Sequence, residues 1–182
     1  MGAPRKNRRK YEKTKAMWNV IRIKADNELI DAYSLKNMKE LWKVQTELSR
    51  LRSNVRRTLS GTSTTSTMQN AIISRLKRLG VVSGDVMPET LLELKANVLL
   101  ERRLQSIVFR KGLARSMKQA RQLITHGFIA INGVKVNTPG YMVKVDEEHK
   151  IGYYKPINIE PKAPPAPAEA AKEAEGAVKQ EA

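Results

Sequence analysis

Cysteine is absent from this chain of 182 residues, which excludes disulfides, thiolate metal sites and cysteine catalysis. The two histidines, His126 and His149, are too few for a zinc site without carboxylate help, and no metal-ligand spacing is visible. Apolar runs long enough to cross a membrane are missing, and so is the apolar region of a secretory signal. We therefore expect no cofactor, no metal and no membrane span, and a cytoplasmic location.

Acidic residues are scarce, and this scarcity points to a polyanionic partner. Lys and Arg number 34 against 18 Asp and Glu, a net charge of +16. The excess is uneven, because residues 1–24 carry nine cations and one acid whereas residues 156–182 carry three cations and five acids. A basic solubility charge would explain the total, but the uneven placement favours nucleic acid.

The two ends of the chain differ in kind from its middle. The first residues show no helical or strand period, and they predict a basic arm that orders on a phosphate backbone, with cations at Arg5, Lys6, Arg8, Arg9 and Lys10. Trp18, Val20 and Ile23 predict the point where this arm rejoins a core. The segment 156–182 is rich in Ala, Pro and Glu, and we expect it to be a disordered tail because it lacks large apolar groups.

Between the ends, apolar spacing predicts helices. Ser34 is a candidate N-cap for a long helix whose apolar stripe runs from Leu35 to Val55, with Gly61 as its stop. Residues 68–79 predict another helix that ends at Gly80. Residues 100–111 predict a third, on which Arg102, Arg103, Ser106 and Arg110 share one outward arc beside an apolar arc. Phe109 lies outside the apolar arc, and we favour packing on a neighbouring domain over stacking on a base.

The next segment predicts a helix and a hairpin. Ser116 and Gln119 form a capping-box pattern, and Gly127 is a candidate stop. The outward face would carry Lys118, Arg121, Gln122 and Thr125, with His126 at its edge. Asn132-Gly133 predicts a type I′ hairpin turn, with Lys135 as a backbone contact, and Thr138 to Tyr141 fit a type II turn. Strands are expected at residues 142–145 and 151–154, with an acidic turn between them.

These residues resemble a known RNA-binding module. LLERRL at 99–104, ARQLITHGFIAINGVKVN at 120–137 and PGYMVKV at 139–145 closely resemble the module named after the S-four family of small-subunit ribosomal proteins. The start MGAPRKNRRKYE, the basic arm and the long helix are similar to the archaeal form of that family. Gln105 departs from many such modules, which carry Asp there, and the cysteine zinc cluster of some bacterial members is absent.

The resemblance implies a primary binder of small-subunit ribosomal RNA, with no active site and no small-molecule substrate. Family members nucleate assembly of the subunit body, influence decoding accuracy and lie near proteins of the S-five and S-twelve types. The family's RNA-facing positions match Arg102, Arg103, Arg110, Lys118, Arg121, Gln122 and His126, and neighbouring Lys111 is added to them. The predicted fold is α+β, with an arm at 1–24, a helical domain at 25–98, the module and final strands at 99–155, and the tail.

Two other functions compete with this one. An RNA-modifying enzyme could use the module to hold its substrate, but no nucleophile–base pair, phosphate loop or paired carboxylate site is evident. His126 without such a partner is more often a local hydrogen-bonding residue than a catalyst. A free RNA chaperone or stalled-ribosome factor would keep the module but would not need the long arm and the helical domain.

Overall fold

The computed structural model describes residues 10–14, 16–60, 65–84 and 87–156. Within these ranges the chain forms seven α-helices, one 3-10 turn at Thr90–Leu92 and a three-stranded antiparallel sheet, which confirms the α+β prediction. The helices are α1 (Val20–Ala32), α2 (Met38–Leu59), α3 (Thr65–Arg78), α4 (Ala96–Glu101), α5 (Leu104–Arg110), α6 (Met117–Thr125) and α7 (Val145–Glu148). The strands are β1 (Ile129–Ile131), β2 (Val134–Lys135) and β3 (Ile151–Tyr153), with β1 in the centre.

Some predictions fall beyond these ranges. The Gly61 stop, the arm cations Arg5, Lys6, Arg8 and Arg9, and nearly all of the predicted tail lie outside the described residues.

Helix α1 was not expected, and its end explains why the Ser34 prediction is wrong. Ser34 takes a left-handed conformation with φ of 47°. Its N–H donates to the Asp31 carbonyl at 3.2 Å, and the Leu35 N–H donates to the Ile30 carbonyl at 2.9 Å. This pair of bonds is a Schellman motif, so Ser34 ends α1 and does not begin α2. Helix α2 begins instead after Asn37.

The apolar stripe of α2 packs as its spacing predicts. Leu41, Leu48 and Val55 are buried along this helix. Helix α3 also confirms its prediction: Gly80 ends it with φ of 65°, and the Val81 N–H donates to the Leu76 carbonyl at 3.1 Å.

The predicted helix at 100–111 is broken, which is the largest difference from the sequence analysis. Helix α4 ends at Glu101, and α5 begins at Leu104. At the break, the Leu104 N–H donates to the Tyr141 carbonyl at 2.8 Å, and the Gln105 N–H donates to the Pro139 carbonyl at 3.3 Å. Amides that donate to a distant turn cannot donate to the preceding helical turn, so Arg102 and Arg103 lie at a joint between two helices.

The hairpin confirms its sequence signal. Asn132 and Gly133 have φ of 52° and 78°, as a type I′ turn requires. Ala130 pairs with Lys135 on one side and with Gly152 on the other, and all three residues of β1 are buried. Strand β1 thus lies between the exposed edge strand β2 and β3.

Three predictions between β2 and β3 are wrong. The Tyr141 N–H donates to the Thr138 carbonyl at 3.2 Å, so a turn is present, but Gly140 lacks the positive φ of a type II turn. The expected strand at 142–145 is reduced to one bridge between Met142 and Arg103, and the acidic segment that follows is helical, in α7.

Three apolar clusters organise the described residues. One is formed by α5, α6, the sheet and Val143, and centres on Leu104, Ile124 and Ile129. The other two lie along α2: one joins it to α4, and the other to α3 and Leu91. Leu99 and Leu100 therefore pack against α2 although they belong to the predicted module, and the domain division at residue 98 stays a prediction.

The predicted return of the arm to the core at Trp18 and Val20 is wrong. Trp18 is 89% exposed and Val20 is 62% exposed, whereas Ile23 is half-buried. Phe109 is also exposed on the surface of the described chain.

Candidate nucleic-acid interface

Helix α6 is capped at both ends by neighbouring residues. The Ser116 hydroxyl accepts from the Gln119 N–H at 3.2 Å, which confirms Ser116 as the N-cap. The Gln119 side-chain oxygen Oε1 accepts from the Arg115 N–H at 2.7 Å, one residue before the position that a capping box would use. At the other end Gly127 has φ of 77°, and the Phe128 N–H donates to the Leu123 carbonyl at 3.0 Å.

Helix α6 has one buried face and one exposed face. Ala120, Leu123 and Ile124 are buried in the core. The opposite surface, which we call the α6 outer face, consists of Lys118, Gln122, Thr125 and His126, and all four are exposed. The predicted side of the helix is therefore the side that faces solvent.

The hairpin adds a cation to the end of this face. Gly127 has no side chain, and the Lys135 side chain lies over it so closely that a Cβ there would collide with Lys135 Cε. A Cβ would also lie 2.9 Å from Asn137 Oδ1. The left-handed φ and the close approach of Lys135 both favour glycine here. Lys135 consequently lies over Gly127, the residue that follows His126 at the end of the outer face.

A groove along the other side of the outer face contributes one more cation. It runs between α6 and the turn that joins α1 to α2, and its lining includes Asp31, Ser34 and Lys36 together with Lys118 and Gln122. Lys36 is exposed. The turn that ends α1 thus extends the cationic surface beyond the residues of the hairpin module.

Arg121, predicted for the same face, is instead paired with α2. Its Nη2 lies 2.5 Å from Glu40 Oε1, and its Nη1 lies 3.2 Å from Glu40 Oε2. Arg103 donates to the same carboxylate at 2.8 Å. One carboxylate therefore holds two of the arginines that sequence analysis assigned to RNA.

The charges of these arginines also determine the protonation state of the Glu40 carboxyl. Burial alone would raise the pKa of the Glu40 carboxyl, but hydrogen bonds from Arg121 and Arg103, and their positive charges, outweigh it, so the pKa lies below its usual value. Glu40 is thus ionised at neutral pH. Sequence analysis missed this residue, because nothing local marks one acid on a helix as the partner of cations far along the chain.

Gln105 connects the same region to α1. Its side chain is buried, and its amide donates to the Met117 carbonyl at 2.9 Å and to the Tyr33 carbonyl at 3.2 Å. The Oε1 atom of the same side chain accepts from the Arg121 guanidinium at 3.4 Å. The residue that departs from the related modules therefore binds the start of α6 and the end of α1, in a place where a carboxylate could not donate.

Arg102 and Arg103 are not on an exposed arc, and that prediction is wrong. Their exposed fractions are 8% and 5%. Arg102 donates to Glu148 at 2.7 Å and, more weakly, to the Val143 carbonyl at 3.4 Å. The break between α4 and α5 turns both side chains inward, where acids from other elements neutralise them.

The cations after this break reach solvent. Arg110 is exposed and lies 3.5 Å from Glu101, and Lys111 is exposed with its ammonium on the Glu148 carbonyl. Exposed Phe109 precedes them. Lys10, the predicted arm cation that the structure describes, is exposed as well. It precedes Tyr11, whose ring lies 5.8 Å from that of Trp42.

We also looked for a metal site and a membrane-spanning helix in the part of the chain that the structure describes. No group of three or more His, Asp or Glu side chains there could hold a metal ion. No helix among those residues has the length and apolar character that crossing a membrane requires.

Comparisons with known proteins agree with this geometry. Residues 102–149 match the S4 domain model, a span that begins at the joint before α5 and ends after α7. The chain is 43% identical over 155 residues to the small ribosomal subunit protein uS4 of Methanothermobacter thermautotrophicus, covering 85% of this chain and 91% of that protein. It is 41% identical over 160 residues to the uS4 protein of Korarchaeum cryptofilum, covering 88% and 96%.

A third uS4 protein, from Methanoregula boonei, is 43% identical over 159 residues, covering 84% of this chain and 86% of its own length. The similarity extends well beyond the S4 domain, since it includes most of the helical region before it. The chain belongs to the family of the small ribosomal subunit protein uS4.

Proposed function

We propose that this chain is a structural component of the small ribosomal subunit that binds the ribosomal RNA of that subunit and performs no catalysis. The observation that carries the proposal is the α6 outer face with Lys135 at its end. This surface is exposed, rich in donors and presented by a helix that is capped at both ends. Membership of the uS4 family indicates that the particle is the small ribosomal subunit. The cationic surface indicates how the chain would bind RNA there.

The proposed RNA contacts are the exposed members of the predicted set. They are Lys10, Arg110, Lys111, Lys118, Gln122, His126 and Lys135, joined by the predicted arm cations Arg5, Lys6, Arg8 and Arg9, which lie outside the described residues. Cations at these positions would neutralise phosphates, while Gln122 and His126 can hydrogen-bond to phosphates or 2′-hydroxyls. Recognition of this kind reads the shape of the RNA more than its bases.

Arg102, Arg103 and Arg121 take a different part in this proposal. Each is engaged by a carboxylate, so the first two position the module against α2 and α7. Arg121 keeps some exposure and can contact RNA from the side of its guanidinium that Glu40 leaves open. These three would contribute to RNA binding mainly through the shape of the surface.

Finer aspects of the role follow from the family resemblance. We propose that the chain nucleates assembly of the subunit body, contributes to decoding accuracy and adjoins proteins of the S-five and S-twelve types. Its place of action would be the ribosome in the cytoplasm.

The deciding experiment is sedimentation of a cell lysate through a sucrose gradient at low and at high salt, with a blot for this chain. Stoichiometric residence in the small-subunit peak that survives the salt wash is the expected result. Recovery at the top of the gradient would contradict the proposal and favour a free RNA-binding factor. An RNA-modifying enzyme would instead be revealed by a missing base modification in cells that lack the chain.

A further inference from the structure

Four large apolar side chains lie exposed at the beginning of α1. Trp18 is 89% exposed, Ile21 81%, Val20 62% and Met17 49%. We call these four residues the α1 apolar patch. Soluble proteins rarely leave such a group of side chains uncovered, and the exposed members include one of only two tryptophans in the chain.

The patch is held in a defined shape. Asn19 Oδ1 accepts from the N–H groups of Ile21 and Arg22 at 3.1 and 3.3 Å, which caps α1. The Arg22 guanidinium donates to the Met17 carbonyl at 2.9 Å and to the Ala16 carbonyl at 3.3 Å. The turn that presents Trp18 is therefore tied to the helix that follows it.

A buried carboxylate anchors this arrangement to the rest of the fold. Arg22 also donates to Asp26 at 2.7 Å, and Asp26 accepts from the Gln45 amide of α2 at 3.0 Å. Asp26 is only 3% exposed. These hydrogen bonds fix the turn that carries the patch, and a preorganised surface loses little entropy on binding.

The charges around the patch indicate what covers it. No residue from 16 to 21 carries a charge, in a chain whose charged residues make up 29%. The guanidinium of Arg22 is already occupied by Asp26 and two carbonyls, so it is not free for a phosphate. Surfaces that bind RNA are rich in cations, whereas the centres of protein interfaces are depleted of charge and enriched in Trp and Met.

From these observations we infer that the α1 apolar patch is a docking site for another protein of the small subunit, one that offers an apolar pocket to Trp18. Exposed Lys13 and Lys24 flank the patch in sequence, so a pocket with carboxylates at its edge would complement it. The inference rests on the proposed function. It adds a protein contact on a surface separate from the α6 outer face.

Hydroxyl-radical footprinting with mass spectrometry tests this without altering the chain. Oxidation of Trp18 and Met17 is compared in three samples: the free protein, its complex with protein-free small-subunit ribosomal RNA, and purified small subunits. Met87, which is 71% exposed and distant in sequence, serves as a reference residue. We expect oxidation of Trp18 to be unchanged by RNA alone and to fall several-fold in the subunit.

Each other result overturns the inference in a recognisable way. Protection by RNA alone would identify a nucleotide as the occupant. Protection of the free protein that grows with its concentration would identify a second copy. Full oxidation of Trp18 within the subunit would exclude any partner, while absence of the chain from purified subunits would overturn the proposed function as well.

A variant gives an independent measurement. Trp18→Ala and Met87→Ala each compete with the native chain during reconstitution of subunits from RNA and a protein mixture that lacks this chain. We expect incorporation of Trp18→Ala to fall about tenfold, as for a central interface tryptophan, with no change in affinity for RNA alone. Equal incorporation of the two variants would contradict the inference.

Discussion

Glu40 and Arg121 are separated by 81 positions in sequence, and yet their side chains meet at 2.5 Å. Because Arg103 donates to the same carboxylate, α2, the start of α5 and the middle of α6 share a single negative charge. The α6 outer face is therefore oriented by an acid that lies outside the S4 domain match.

Replacing Glu40 tests how much this contact stabilises the fold. Glu40→Gln removes the charge opposite Arg103, which is 5% exposed, and we expect a loss of about 3 kcal/mol in the free energy of unfolding. Urea denaturation measures it. The control is Glu47→Gln on the same helix, whose pair with Arg75 is exposed, and it should lose less than about 1 kcal/mol. Equal losses would refute the central role of Glu40.

Acid should weaken the same contact. The pKa of Glu40 is lowered in the folded protein, so the stability it contributes is complete above its ordinary pKa of 4.5 and is lost as the pH falls through the folded value. Glu147 acts in the same direction: burial opposes ionisation, but hydrogen bonds from Tyr141 and Lys144 outweigh it and lower its pKa.

Thermal melts from about pH 7 to about pH 3 should thus show a steep fall at the acid end, and a shallower one for Glu40→Gln. Identical acid profiles for the variant and the native chain would argue against an ionised Glu40.

The outer face is tested by salt-dependent RNA binding. Lys118→Ala should weaken binding to a transcript of small-subunit ribosomal RNA and reduce the slope of log K against log salt by about 0.7 to 0.9, the value for one phosphate contact. The control is Lys95→Ala, an exposed cation at the start of α4, which should leave the slope unchanged. A native slope in Lys118→Ala would mean that this lysine contacts no phosphate.

Replacing Gly127 should affect both the stability of the fold and the affinity for RNA. Gly127→Ala and Gly112→Ala both place a Cβ on a helix-ending residue of positive φ, and each should lose about 1 kcal/mol of stability. In addition, the Gly127 variant must displace the Lys135 side chain, whereas nothing lies within 4 Å of a Cβ at Gly112. We expect only Gly127→Ala to weaken RNA binding, and equal affinities for the two variants would argue against a role for Lys135.

Local signals were readable from the sequence because their causes are local. Ser116, Gly127 and the Asn132-Gly133 turn each act through bonds within a few residues, and the structure confirms all three. Ser34 misled because serine is common at N-caps, whereas here the bond from Leu35 to Ile30 places it at the end of a helix that had no clear apolar period.

The burial of Arg102 and Arg103 could not be predicted in the same way. Helical spacing put them on an outward arc, but the helix is broken because the N–H groups of Leu104 and Gln105 donate to carbonyls of the distant turn at residues 139–141. Their partners, Glu148 and Glu40, lie 46 and 63 positions away. A basic pattern in the sequence shows where the cations are. It does not show which of them form ion pairs with acids of the same chain once it folds.

The exposed edge of the sheet has a consequence for the protein before it meets any RNA. Strand β2 contains only two residues, both exposed, and one of them is Lys135. A short edge strand bearing a lysine is a poor template for pairing with another chain, since a neighbour would have to bury that charge. The residue proposed to contact RNA would thereby also protect newly made, unassembled protein from aggregation.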